Sequence, residues 1–203
     1  MSKDRLLLET IKIEDGKIDN LFYHQKRFDK SRQLLFQVEN TIDLNTLIIT
    51  PKQGLYRCRI IYGKHIHSIE YIPYTPKKVH RINIVSSSLD YSYKYANREA
   101  LNSLLSTQDN ANDILIEKNG FITDTSIANI AFYKEDQWIT PALPLLEGTM
   151  REKLLDEGFL KKENITIDNL EKYSQVALMN AMLGFKILND VTIIDTKGKH
   201  YDY

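Results

Sequence analysis

Four times along this chain, two β-prone runs flank a short polar turn. "RLLLETIKI" and "KIDNLFY" flank Asp15-Gly16, while "LYRCRIIYG" and "KHIHSIEYIPY" meet at Gly63-Lys64. "DILIEKNGFITDTS" turns at Asn119-Gly120, and "NIAFYKEDQWITP" supplies the fourth pair. Asp-Gly and Asn-Gly favour the left-handed backbone that a two-residue hairpin demands. The runs alternate apolar and polar residues, as a half-buried antiparallel sheet requires.

Between the hairpins the period changes. "YHQKRFDKSRQLLF" is predicted as a helix with Phe28, Leu34 and Leu35 towards a core. A second helix is expected over roughly Ala96 to Ser106, and a third from near Gly148 to Gly158. "RINIVSS", "QVALMNA" and "VTIIDTKG" read as further strands. No regular strand–helix period emerges, so the expected class is α+β with mainly antiparallel sheets. "IPYTPKKVHR" carries two prolines and a basic cluster. Proline cannot donate to a ladder and restricts the residue before it, so a linker is placed here. The boundary near Thr75 divides a small domain, residues 1–75, from a larger one, residues 76–203.

Composition removes several function classes. Net charge is zero, which leaves no field to recruit nucleic acid or an anionic membrane. The single cysteine, Cys58, excludes an intramolecular disulfide and lies in an alternating run, as a small core residue would. "MSKDRLLLETIKIEDGK" lacks the apolar core of a signal peptide, and no run approaches transmembrane length, so a cytoplasmic protein is expected. His65 and His67 share one strand face without an evident third metal ligand. "EDGKIDN" has the wrong ligand and glycine positions for a calcium loop.

Two features point to chemistry. Lys94, followed by Asn97 and Arg98, sits where the extended "SSSLDYSY" gives way to a helix. Further on, Asp124 stands in "GFITDTSIANIAF", and Gly148-Thr149 opens a helix after a proline-containing loop. A helix start with a glycine and a hydroxyl offers outward backbone N–H groups to an anion. An amine for an aldehyde, a carboxylate for a ring nitrogen and donors for a phosphate are together what pyridoxal phosphate requires.

Six segments in order resemble the class IV (fold-type IV) pyridoxal-phosphate enzymes, which include aminodeoxychorismate lyase and the branched-chain and D-amino-acid aminotransferases. They are "LLETIKIEDGKI", "YHQKRFDKS", "KYANR", "GFITDTSIANIAF", "LLEGTMRE" and "QVALMNAMLGFKIL". The resemblance implies a two-domain fold, with a small α/β N-terminal domain and a larger, mixed antiparallel pseudo-barrel. It implies that Lys94 is the Schiff-base lysine and that Arg27 pairs with the phosphate. Gly148 and Thr149 would add phosphate donors, and Asn180 and Ala181 would line the phosphate or substrate side. Asp124 would stand where the family carries glutamate. Being shorter by one methylene, it would need either a closer backbone or a bridging water to reach the ring nitrogen. Arg59 is held as a further phosphate or structural arginine, and His24 as a brace for its helix. A free lysine is neutral at pH 7 in only about one molecule in a few thousand, and a buried site beside cations raises that fraction.

Lys94, Asn97 and Arg98 resemble the lyase more than the branched-chain enzymes, as does "LMNAMLGFKIL". Asn97 and Arg98 are therefore placed on the substrate side. The implied activity is release of 4-aminobenzoate and pyruvate for folate synthesis. The alternatives are a class IV aminotransferase and a homologue that binds a ligand without turnover. The family also implies a homodimer. Relative to it the chain starts almost directly at "LLLETI", which implies a minimal first domain and a more open substrate pocket.

Overall fold

The computed structural model describes residues 5–203. Contacts divide the chain into two compact units. The first takes the described residues up to Pro76 together with Tyr93–Asn97, and the second takes Lys77–Ser92 and Arg98–Tyr203. A single cut in the sequence does not anticipate the return of residues 93–97 to the first unit.

The first unit is a four-stranded antiparallel sheet with one long helix. Strand β1 (Leu7–Glu14) turns into the two-residue β2 (Lys17–Ile18), and helices α1 (Leu21–Phe36) and α2 (Leu44–Leu47) follow. Strands β3 (Leu55–Tyr62) and β4 (Ile66–Pro73) complete the order β2-β1-β3-β4. Asp15 and Gly16 both have positive φ, 47° and 79°, so the first turn has the twist that an antiparallel pair needs. The second arm of this hairpin is shorter than expected, because the chain enters α1 at Leu21.

Helix α1 buries His24, Phe28, Ser31 and Arg32. These recur at the three- and four-residue spacing of one helical face. Leu34 lies off that face and is 56% exposed, which corrects its assignment to the core. Phe28 packs against Tyr62 with ring centroids 4.5 Å apart, within a core that includes Leu7, Ile11, Cys58 and Ile60. Burial pushes the Cys58 thiol up to about 11, the behaviour of an inert core residue.

The second unit is built on a ten-stranded mixed sheet. Strand β5 (Arg81–Ser86) is followed by α3 (Glu99–Ser106), β6 (Asp113–Lys118), β7 (Phe121–Thr125), β8 (Asn129–Lys134) and β9 (Gln137–Pro141). Then come α4 (Thr149–Asp156), β10 (Leu160–Glu163), a 3-10 turn at Ile167–Lys172, β11 (Gln175–Asn180), β12 (Gly184–Leu188), β13 (Thr192–Ile194) and β14 (His200–Asp202). The main path runs β10-β9-β8-β7-β6-β5-β13-β14, with β11 branching from β8 and carrying β12. Pairs β5/β6, β5/β13 and β9/β10 are parallel, and the rest are antiparallel. A parallel pair needs a crossover, and α3 and α4 lie in the crossovers of β5/β6 and β9/β10.

Strands β7 and β8 pair at a single position, Asp124 opposite Asn129. Beyond it β8 pairs with β11 from Asn129 to Tyr133. The sheet therefore forks at Asp124 and Asn129. Its core includes Ile84, Leu115, Ile130, Phe132, Val176 and Leu178. Helix α3 begins three residues later than expected, because the Ala96 N–H is held by the carbonyl of Leu6 at 2.8 Å, in extended pairing. Among the described residues, no helix is long and apolar enough to cross a membrane.

Candidate active site

In the first unit, the segment carrying Lys94 is stitched to the start of β1. Leu8 N–H donates to the carbonyl of Lys94 at 2.8 Å, and Tyr95 bridges Leu7. The next residue on β1 is Glu9, which occupies an inward position in line with Leu7, Ile11 and Ile13 and is 0% exposed. A carboxylate there must be compensated, since burying a bare charge is very costly.

The compensation comes from α1. Arg27 donates from Nε to Glu9 Oε1 at 2.8 Å and from an Nη to Oε2 at 2.6 Å, in a fork-to-fork pair. His24 lies one turn earlier, with Nδ1 2.6 Å from Glu9 Oε2. Burial pushes the Glu9 carboxyl up, but the Arg27 charge and the hydrogen bonds from His24 and Arg27 outweigh it and hold the group down at about 2. Burial also pushes His24 down against the pull of Glu9, and the charges of Arg27 and Lys94 act in the same direction as burial. A neutral His24 thus donates its Nδ1–H to an ionised Glu9. His24 braces its helix from inside the core. Arg59 pairs with its cross-strand neighbour Glu70 at 3.1 Å, which gives it a structural place on the sheet.

In the second unit, the fork of the sheet is the polar centre. Asp124 is 3% exposed and accepts from Asn129 Nδ2 at 2.7 Å and from the Leu146 N–H at 2.8 Å. Asn129 Nδ2 also donates to the Leu146 carbonyl at 2.8 Å. These bonds fix the loop that leads into α4. Gly148, at the N-cap, has φ −74°, so it is not there for backbone freedom. A Cβ on it would come within 1.9 Å of Asn129 Oδ1, and that amide is held by Asp124 and Leu146. Only glycine leaves room. Thr149 follows as the first residue of α4 and is buried.

Burial pushes Asp124 up to about 6, against the bonds from Asn129 and Leu146 and the charge of Arg151. The sign of the consequence is definite. Folded Asp124 keeps a proton that the unfolded chain surrenders near 3.8, so stability falls as pH rises from about 4 to 6 and is flat above. The whole step is on the order of 3 kcal/mol. Urea titrations across that window should show Asp124→Asn lacking this component, and an unchanged slope in the variant would refute it.

Arg98 and Asn180 converge on the turn between β7 and β8. Arg98 donates to the Ser126 carbonyl at 2.7 Å and to the Tyr91 hydroxyl at 3.3 Å. Asn180 Nδ2 donates to the adjacent Ile127 carbonyl at 3.2 Å, and its Oδ1 accepts from Met182 and Leu183 N–H at 2.9 and 2.8 Å. Ala181 lies half-buried in the turn that Asn180 closes. Asn97 belongs to the first unit.

The structure thus brings Lys94 and Arg27 into one unit, and Asp124, Gly148, Thr149, Arg98, Asn180 and Ala181 into the other. Sequence reasoning missed Glu9 and Asn129. Glu9 had a signal, because it interrupts the apolar phase of "LLETIKI".

The family model described as "Amino-transferase class IV" matches residues 68–187. A crystal structure from Haemophilus somnus, provisionally named 4-amino-4-deoxychorismate lyase, is 36% identical and covers 91% of this chain and 100% of its own, with a TM-score of 0.83. A Schizosaccharomyces pombe protein, provisionally named aminodeoxychorismate lyase, is 34% identical over 139 residues, 64% of this chain and 59% of its own. At 14% identity, the pyridoxal-phosphate-bound form of a hypothetical aminotransferase from Mycobacterium tuberculosis covers 93% of this chain and 82% of its own with a TM-score of 0.75, and so shares the fold. The chain is α+β and has the fold of the fold-type IV enzymes. It belongs to the class IV aminotransferase family, whose members are pyridoxal-phosphate-dependent enzymes.

Proposed function

We propose that this chain is a pyridoxal-phosphate-dependent 4-amino-4-deoxychorismate lyase, acting in the cytoplasm as a homodimer and supplying 4-aminobenzoate for folate synthesis. The observation that carries the enzymatic reading is Lys94, pinned to β1 beside a buried Arg27–Glu9–His24 cluster. The donor set fits the cofactor by its chemistry. Lys94 offers the amine for the aldehyde, and Arg27 offers a planar fork for the phosphate. Gly148 and Thr149 offer a helix start, with Asn180 and Ala181 beside the phosphate or substrate. Asp124 offers a carboxylate for the ring nitrogen. When bound, the cofactor supplies an electron-accepting ring that stabilises charge developing at a substrate carbon.

The chain's own groups then move and hold protons. Lys94 Nζ takes the proton from the amino-bearing carbon of the substrate. With the cofactor bound, Asp124 would hold a proton on the ring nitrogen, and its bonds from Asn129 and Leu146 keep its oxygens oriented. The C–O bond to the enolpyruvyl group breaks, a proton is returned to that fragment, and the ring becomes aromatic. The two products together contain every atom of the substrate, so no oxidant, reductant or water is consumed.

The lyase is favoured over an aminotransferase by Lys94, Asn97 and Arg98 at their spacing, and by the provisional names of two relatives. Asn97 and Arg98 are assigned to the substrate side, and the bonds of Arg98 to Ser126 and Tyr91 hold it in place. Incubation with 4-amino-4-deoxychorismate should release 4-aminobenzoate and pyruvate in equal amounts. Glutamate formation from 2-oxoglutarate and an amino acid, without aminobenzoate, would overturn the choice.

A further inference from the structure

The buried carboxylate of Glu9 does more than neutralise a charge. Its two oxygens take the side fork of Arg27, Nε and one Nη, at 2.8 and 2.6 Å, and its Oε2 also meets His24 at 2.6 Å. A guanidinium has five N–H donors in a rigid plane. Fixing the side fork at both donors fixes the plane and angle of the whole guanidinium. An interaction at one donor would leave the plane free to swing; the fork-to-fork pair does not. Glu9 itself is locked by position, because it is fully buried on β1 and its neighbour Leu8 holds the backbone of Lys94.

We propose that Glu9 is a positioning residue, which sets the plane and angle at which the Arg27 guanidinium meets a phosphoryl group. This rests on the assignment of Arg27 to the cofactor phosphate. It adds a requirement that the assignment alone does not make: the geometry of the carboxylate should matter as well as its charge.

The test compares pyridoxal 5′-phosphate with pyridoxal, which lacks the phosphate, by absorbance titration of the purified full chain. Wild type, Glu9→Gln, Glu9→Asp, Arg27→Gln and the double variant Glu9→Gln/Arg27→Gln are measured, with circular dichroism confirming each fold. The expected preference of wild type for the phosphorylated ligand falls about tenfold or more in Glu9→Gln, in line with one lost charge-assisted hydrogen bond. It falls in Glu9→Asp too, although the charge is kept. Pyridoxal itself binds with nearly unchanged affinity. Adding Glu9→Gln to Arg27→Gln produces no further loss of preference, since Glu9 acts through Arg27. Equal weakening of both ligands, or a full wild-type preference in Glu9→Asp, overturns the proposal and leaves Glu9 as a core ion-pair partner. If Glu9→Gln does not fold, Glu9→Asp decides alone. A wild-type protein without any preference, or an Arg27→Gln variant that retains it, counts instead against the assignment of Arg27.

Discussion

Replacing Lys94 by alanine is expected to leave a folded protein that does not turn yellow with added pyridoxal phosphate and that has lost at least about four orders of magnitude in turnover. Lys94 is proposed both to anchor the cofactor and to carry the proton in the bond-breaking step. General acid–base catalysis alone is worth about 10²–10⁴-fold, and loss of the anchor adds to it. The fold should survive, because Lys94 is tied into β1 through its carbonyl, and alanine keeps that bond. The measurement is single-turnover release of 4-aminobenzoate together with the thermal midpoint. A variant that keeps turnover within tenfold of wild type would remove Lys94 from the chemistry.

The second large effect concerns stability. Glu9→Ala should cost roughly 3–5 kcal/mol, because it strands Arg27 and His24 in the first unit's core without their anion. That is a large share of the roughly 5–15 kcal/mol that holds a domain together. The pH dependence gives an independent estimate. Glu9 is held down from 4.5 to about 2, so its contribution is complete above 4.5 and is lost as pH falls towards 2. The shift corresponds to roughly 3 kcal/mol. His24, pushed below 6.5, adds to the loss on the acid side, since the unfolded chain takes up its proton first. Asp124 works in the opposite direction between about 4 and 6. Denaturant midpoints should therefore drop steeply below pH 4.5 in wild type and less steeply in Glu9→Ala. Parallel curves for the two proteins would refute the role of Glu9.

Much of the fold could be read from local chemistry. The turns at Asp15-Gly16 and Asn119-Gly120 adopt the positive φ angles their residues favour, and Glu135-Asp136 does so without glycine, at 50° and 58°. Strand β12 escaped, because its residues are mostly half-buried or exposed and follow no clean alternation. Parallel pairing also escaped, because crossovers are decided by where α3 and α4 settle and not by the strands they join. Leu34 is apolar, but its angle on the helix sets it off the buried face. Arg32 and His24, which are polar, occupy the buried face instead.

The candidate site was legible in its types and not in its geometry. Lys94, Asp124 and Gly148 stand out as chemistry-bearing residues in sequence. Nothing local reveals that Gly148 is required by the amide of Asn129, nineteen positions earlier. Nor does anything local show Arg27 reaching back eighteen positions to Glu9. Such pairings are set by register and by helix docking. Only the phase of Glu9, inward among leucines and isoleucines, betrays that a cation must meet it.

The most direct test of the role given to Lys94 is chemical trapping. The purified protein is loaded with pyridoxal phosphate, reduced with borohydride, digested and mapped by mass spectrometry. The expected result is one pyridoxyl-phosphate label, on the peptide containing "YSYKYANR" and at Lys94. A label on another lysine, or a protein that takes up no cofactor, would contradict it.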